Sequence, residues 1–433
     1  MNFAESVGYL LSLGNEVSTM KLGLENISKL LNALKNPQKN YLKVQVAGTN
    51  GKGSVCAFLD SICGRACIKT GLYTSPHLIS ITERIKIDGL ELSESDFARQ
   101  ATFVRETAES LYARGEIESI PTFFEQVTAI ALNTFADAKV DLAILETGLG
   151  GRLDATTAAN AEIAAITQID YDHQEYLGET LAEIAAEKAA IIHSTSTVIS
   201  ARQAQEAERV IVGRCDKVGV APKWATKKIV AKVHDANGLI LSATFVTDKA
   251  NYYAVECGLL GRHQMTNAAV AIAVAETLVG RDFQISNDDI VDGLETAHHA
   301  GRLEYVGDYL LDGAHNVAGA RSLRQFLEEF EPGPVTLIFG IMRDKDVEAM
   351  ARILFPLAAA IVLTTPDNTR AMPTADIAAI APSVPARVWQ TNTLKEAMDV
   401  AENETESGGI KLVTGSLYLV GEAKKILQND SET

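Results

Sequence analysis

The chain of 433 residues carries 39 Lys and Arg against 56 Asp and Glu, a formal net charge of −17. Hydrophobic residues make up 47% and charged residues 22%, a composition that excludes a disordered polymer and leaves room for two or three globular domains. So anionic a surface repels nucleic acid, and any anionic ligand must be drawn in by local fields.

No apolar stretch approaches the roughly 20 residues that span a bilayer. The opening Met-Asn-Phe-Ala-Glu-Ser lacks a basic region followed by an apolar core. Five cysteines without framework spacing fit a reducing compartment, so a cytoplasmic protein without a membrane partner is expected. Cys56, Cys63 and Cys67 fall at helical spacing, which predicts packing on one face rather than metal binding.

Lys43 to Val46 reads as a buried strand, Gly48-Thr49-Asn50-Gly51 as a tight turn, and Lys52, Gly53 and Ser54 as the opening of a helix that runs on through Phe58 and Ile62. A strand feeding a glycine-rich turn into a helix N-terminus makes a nest of N–H groups at the positive end of the helix dipole. Gly48, Gly51 and Gly53 let the main chain approach a phosphate that a Cβ would obstruct. Lys52 supplies a mobile charge for the outer phosphates and Ser54 a hydroxyl for Mg²⁺. The segment predicts a nucleoside triphosphate site. It departs from the usual phosphate-loop spacing, because Val46 stands at the first glycine and Gly53 is inserted between Lys52 and Ser54.

Thr70 to Tyr73 is the next strand and runs into Thr74-Ser75-Pro76-His77. Residues 95–113 and 123–135 show helical periodicity. Val140 to Leu145 and Ile163 to Ile169 are near-continuous apolar runs ending in Glu146 and Asp170. Such strands indicate a parallel sheet covered on both faces, with ligands outside the carboxyl ends, where Gly48, Ser75, Glu146 and Asp170 all fall. Residues 228–256 alternate around Ala236-Asn237-Gly238, a hairpin signal within a small β subregion. A helix is predicted from Gln264 to Leu278. Thr296-Ala297-His298-His299-Ala300-Gly301-Arg302 reads as a hinge, with a domain boundary near residue 300. A second βα series follows, with strands near 303–311, 335–340, 359–364 and 410–414.

A carboxylate at a strand end before a glycine-rich loop, Glu146 to Asp154, is suited to Mg²⁺, which asks for few protein oxygens. Ser54 and Ser75 are available beside it; a capping or ion-paired role for Glu146 is the alternative. His173, in Asp170-Tyr171-Asp172-His173, follows another strand end, with Glu187-Lys188 on the helix beyond.

Gly48-Thr49-Asn50-Gly51-Lys52-Gly53-Ser54 resembles the phosphate loop of the ATP-dependent amide ligases related to the Mur ligases. Within them the chain resembles the folylpolyglutamate synthases, which in many bacteria also act as dihydrofolate synthases. The resemblance spans nearly the whole chain. It includes Leu22-Gly23-Leu24-Glu25, Thr74 to Leu78, Thr122-Phe123-Phe124-Glu125, Glu146 to Asp154, Asp172-His173 with Glu187-Lys188, Gly261 to Asn267, Gly301-Arg302, Asp312 to Asn316 and Thr414 to Tyr418. Ala300 departs from a usual Pro, and Thr157 from a common Asn near the expected pterin pocket.

That resemblance implies an α/β fold: a phosphate-loop ATP-binding domain over residues 1–299, with a parallel-rich sheet and small β subregion, and a Rossmann-like glutamate-binding domain over 300–433. It implies that His173 binds a second Mg²⁺ and that Lys188 is carbamylated into an anionic ligand, so that Lys52, Glu146, His173 and Lys188 serve catalysis. Asn267, Arg302, Asp312 and His315 join residues 48–54 around ATP. Thr122, Phe124, Arg152 and Asp154 contact the pteridine substrate, although Phe124 also suits a helix core. Asp312, His315, Ser416 and Tyr418 form the glutamate site. The implied reaction adds L-glutamate to tetrahydrofolate tails, and to dihydropteroate, through an acyl phosphate, in a monomer.

Three other readings compete. A cell-wall Mur ligase carries a nucleotide-sugar domain ahead of the phosphate loop, and only 47 residues precede Gly48. A regulatory NTPase would hydrolyse ATP without folate or glutamate. A folate carrier would bind without turnover.

Overall fold

The computed structural model describes the chain except residues 15–22, 226–227, 234–240, 332, 382–383 and 432–433. Eight strands form the larger sheet: β1 (Leu42–Ala47), β2 (Thr70–Tyr73), β3 (Ile85–Ile87), β4 (Leu90–Glu91), β5 (Leu142–Glu146), β6 (Ile163–Ile166), β7 (Thr197–Ser200) and β8 (Pro222–Trp224). Their order is β4-β3-β2-β5-β1-β6-β7-β8. From β2 to β8 every pair is parallel, whereas β2–β3 and β3–β4 are antiparallel. The apolar runs of β5 and β6 are buried along their whole length, because helices cover both faces.

The helix Lys52–Arg65 buries Val55, Phe58, Leu59 and Ile62 completely, each contributing about 1.5–3 kcal/mol relative to exposure. Cys56 and Cys63 join that face, but Cys67 lies beyond the helix end and is exposed. The shared cysteine face therefore stops at Cys63. Glu94–Ala113 and Phe123–Ala138 match the expected helices.

A three-stranded antiparallel sheet of β9 (Lys228–Val233), β10 (Leu241–Val246) and β11 (Asn251–Glu256) stands in the expected β subregion. The predicted turn at Ala236-Asn237-Gly238 lies outside the described residues. The apolar helix His263–Val279 follows.

The smaller sheet has the order β12-β13-β17-β14-β15-β16, with β12 (Glu304–Val306), β13 (Tyr309–Leu311), β14 (Val335–Phe339), β15 (Ala358–Leu363), β16 (Arg387–Gln390) and β17 (Ile410–Thr414). All its pairs are parallel except β12–β13. The strand expected near 303–311 is thus two, broken at Gly307-Asp308, where Gly307 has φ +62°. Among the described residues no helix is long and apolar enough to cross a membrane.

Candidate active site

Central strands β2, β5, β1 and β6 end side by side, so their carboxyl ends present Ser75, Glu146, the glycine turn and the Asp170–His173 loop along one edge. In the second sheet, β13, β17, β14 and β15 likewise end toward Asp312, Ser416, Lys345 and Arg370. The two edges enclose one cavity of about 520 Å³.

The glycine turn leaves no room for side chains at two positions. A Cβ on Gly48 would stand 1.8 Å from Thr167 Oγ1, and one on Gly51, at φ +85°, would stand 2.2 Å from Asn267 Oδ1. Thr49 Oγ1 donates to the Asp170 carbonyl at 2.9 Å and accepts from the Asp170 N–H at 3.0 Å. Lys52 Nζ folds back to the Gly48 and Thr49 carbonyls at 3.2 and 3.1 Å. A loop closed around its own lysine at a helix N-terminus offers N–H groups and a cation to an anion.

Glu146 is buried, and burial raises its carboxyl above the usual range against the pull of Lys52 and the Ser75 N–H. Its Oε2 accepts from that N–H at 3.1 Å. With the Ser54 and Ser75 hydroxyls in the same cavity, this set of hard oxygens fits one Mg²⁺.

A second ion at His173 fits poorly. His173 Nε2 lies 3.3 Å from Lys345 Nζ, so a cation already covers that nitrogen. Burial, with Lys345, Lys52 and Lys188 nearby, lowers the imidazole to about 4. Among the described residues, no group of three His, Cys, Asp or Glu side chains is placed to hold a metal. Lys188 is buried and donates to the Gly48 carbonyl at 2.8 Å. Burial, then the Lys52 charge, lowers its amine to about 7.

Asp172, left out of the expected site, is its best-connected carboxylate. Lys345 Nζ reaches Oδ1 at 2.7 Å, Asn316 Nδ2 donates to Oδ2 at 2.9 Å, and His315 Nε2 lies 3.8 Å away. Burial alone would raise this acid, but Lys345, His173 and His315 hold it well below the carboxylate range.

On the second sheet, Asp312 accepts from the Leu303 and Ala314 N–H groups, both at 3.0 Å, and His315 Nδ1 lies 2.8 Å from the Gly313 carbonyl. Burial raises Asp312 and lowers His315 to about 3. Arg302 Nη1 donates to the Gly313 carbonyl at 3.2 Å, and Asn267 Nδ2 to Gln264 Oε1 at 2.8 Å. Ser416 Oγ accepts from the Tyr418 N–H, and Arg370 lies 3.4 Å from the Tyr418 hydroxyl.

At the opposite end, Thr122 and Phe124 begin one helix. Thr122 Oγ1 caps it by accepting from the Glu125 N–H at 3.3 Å, and Phe124 tilts against Tyr73 at 6.1 Å. Both line the cavity with Asp154, whose Oδ2 accepts from the Leu149 N–H at 2.9 Å. Arg152 does not line it: its guanidinium turns outward to Glu187 at 2.9 Å. Thr157 is also spent within its loop, donating to the Gly151 carbonyl at 2.7 Å, so its departure from Asn falls outside the cavity lining.

The other expected residues, Gly48 excepted, line the same cavity. Gly48 contributes its carbonyl from behind the loop. Lys345 and Arg370 were missed because each stands in a loop without a local motif. Asn316 was within a family block, but nothing local announced its partners.

Two Mur ligase models match the chain: the middle domain over residues 46–275 and the glutamate ligase domain over 301–417. The chain is 33% identical over 423 residues to the dihydrofolate synthase/folylpolyglutamate synthase of Bacillus subtilis, covering 94% of this chain and 96% of that one. It is 34% identical over 429 residues to a probable bifunctional folylpolyglutamate synthase/dihydropteroate synthase of Halobacterium salinarum. There it covers 98% of this chain and 51% of the relative, so it spans about half that protein's length. The solved structure of E. coli FolC in complex with DHPP and ADP superimposes with a TM-score of 0.88 at 28% identity, over 100% of this chain and 99% of that one.

Proposed function

The chain belongs to the Mur ligase family, among its folylpolyglutamate and dihydrofolate synthases, and from that premise we propose that it joins L-glutamate to folates in an ATP-dependent reaction. The observation that carries this reading is the single cavity where the glycine turn, buried Glu146 and the carboxyl edge of the second sheet meet. The chain works as two units that meet near residue 300. A phosphate-loop unit holds ATP and the pteridine, and a Rossmann-like unit brings glutamate.

A carboxylate of the folate tail, or of dihydropteroate, attacks the γ-phosphate in line, giving an acyl phosphate and ADP. The glutamate amine then attacks the acyl carbon, and phosphate leaves as the amide forms. Lys52 and the N–H groups of the turn bind the phosphates and take up charge as it develops. Asn267 and His315 flank the base and ribose, and Arg302 the phosphates. Asp154, Thr122 and Phe124 orient the pteridine, the ring by stacking. Asp312, His315, Ser416 and Tyr418 hold glutamate. Holding these reactants in register supplies roughly 7–11 kcal/mol of the barrier.

Mg²⁺, when held by Glu146, Ser54 and Ser75, would neutralise charge between the outer phosphates. A second ion at His173 requires Lys345 to move away. The Lys188 amine, lowered to about 7 and so about half neutral at that pH, suits addition to CO₂, which would turn a repelled cation into an oxygen donor.

The test is ADP release with Mg²⁺, ATP and L-glutamate, with dihydropteroate in one sample and tetrahydrofolate in another, and products weighed by mass spectrometry. Turnover with both establishes two activities, and with tetrahydrofolate alone, tail extension only. Steady ATP hydrolysis indifferent to folate overturns the proposal in favour of a regulatory NTPase.

A further inference from the structure

Asn316 ties together three parts of the molecule that are far apart in sequence. It caps the helix Val317–Phe330 by accepting from the Gly319 N–H at 2.8 Å. Its Nδ2 donates to Asn50 Oδ1 at 3.0 Å, and Asn50 Nδ2 donates back to Asn316 Oδ1 at 3.3 Å. The same Nδ2 donates to Asp172 Oδ2 at 2.9 Å. Asn316 is buried, so these bonds form where water competes little and an unmatched amide is costly.

Asn50 is equally constrained. Its carbonyl accepts from Thr167 Oγ1 at 2.7 Å, and its N–H donates to the Gln168 carbonyl at 3.4 Å. The Asn50 side chain therefore moves only with the phosphate loop. On the far side, Asn316 directly follows His315 and heads the helix that carries the cavity wall. A rigid turn and a rigid helix end are joined by one reciprocal amide pair.

We propose that Asn316 is a positioning residue for the amino-acid step: through Asn50 it couples the set of the phosphate loop to the seating of the second sheet's edge, where Ser416 and Tyr418 stand. The inference rests on the ligase reading. Loss of the pair leaves the nucleotide contacts of the loop in place but lets the glutamate wall sit loosely. Coupling of this kind acts on both sites reciprocally.

The test compares Asn316→Ser, Asn50→Ala and the double variant with the wild-type protein at saturating ATP. Serine keeps a hydroxyl to cap the helix but is too short to reach Asn50 or Asp172. Asn50→Ala removes the pair from the other side and leaves the cap untouched. The expected result is a glutamate KM raised about tenfold in each single variant, and raised no more than about twofold further in the double, because both remove the Asn50–Asn316 pair, Asn316→Ser losing the Asp172 bond besides. Affinity of Asn316→Ser for a non-hydrolysable ATP analogue stays within about twofold of wild type.

A glutamate KM within about twofold of wild type in Asn316→Ser overturns the inference. So does a double variant whose effects multiply to about a hundredfold, which would mark two independent perturbations. If wild-type protein shows no glutamate-dependent ADP release, the ligase reading fails and takes this inference with it.

Discussion

Replacing Lys188 by Met is the most informative single perturbation of this site. The amine is buried, its neighbour Lys52 is also cationic, and its value falls from the ordinary 10.5 to about 7. The sign follows from linkage. The folded state binds the proton less tightly than the unfolded chain, so the lysine opposes folding fully below the folded value. That cost fades as pH rises toward the unfolded value. At about 1.4 kcal/mol per pH unit between the two values, the cost is about 4–5 kcal/mol near pH 6.5 and about 2 kcal/mol near pH 9. Met removes the cost and fills similar volume, but forfeits the hydrogen bond to the Gly48 carbonyl, about 1 kcal/mol. Lys188→Met should therefore be more stable than wild type by about 3–4 kcal/mol near pH 6.5 and by about 1 kcal/mol near pH 9. The assay is urea unfolding in buffers free of bicarbonate, followed by the fluorescence of Trp224 and Trp389. Parallel stability curves for the two proteins across this range would refute the reasoning. Turnover should fall in the same variant at every pH, because the stability cost and the neutral amine share one origin.

Lys52→Ala should abolish turnover, since Lys52 is the cation that the turn holds through the Gly48 and Thr49 carbonyls beside the phosphate-binding N–H groups; near-normal ADP release would sink the phosphate-site assignment. Glu146→Gln should raise the Mg²⁺ concentration for half-maximal rate about tenfold or more while leaving thermal stability unchanged or higher, because a neutral amide suits the buried position better than a carboxylate. An unchanged Mg²⁺ dependence would place the ion elsewhere. Arg152→Ala should leave the KM for the folate substrate within about twofold, as expected of an exposed ion pair; a tenfold rise would mean that the guanidinium swings into the cavity.

The phosphate loop and the carboxyl ends of β1, β2, β5 and β6 were legible because their signals are local. A short apolar run that stops at a turn reads as a covered strand, and Gly48 and Gly51 stand where the turn tolerates no side chain. The antiparallel margins β3 and β4, and β16, were not read, being short and half exposed. Arg152 was assigned to the pocket by the family resemblance, yet a long side chain follows its nearest countercharge, here Glu187. The cluster of Asp172, Asn316 and Lys345 had no local signature. Its bonds join positions 144 and 173 residues apart, and only the meeting of two sheets creates them. The hinge reading near residue 300 rested on composition alone.

The margins of the larger sheet have a consequence for the protein in a crowded solution. One outer strand, β4, is two residues long, and the other, β8, opens on Pro222, which has no N–H to offer. Neither can template the addition of a foreign strand, so the main sheet resists growth by edge-to-edge pairing. The smaller sheet is guarded differently. Of its two outer strands, β12 is three residues long and pairs antiparallel with β13, and β16 runs four residues, with Arg387 lying over Trp389 and paired to Glu404. Self-association under partial unfolding should therefore begin at β16, and neutralising Arg387 should hasten it.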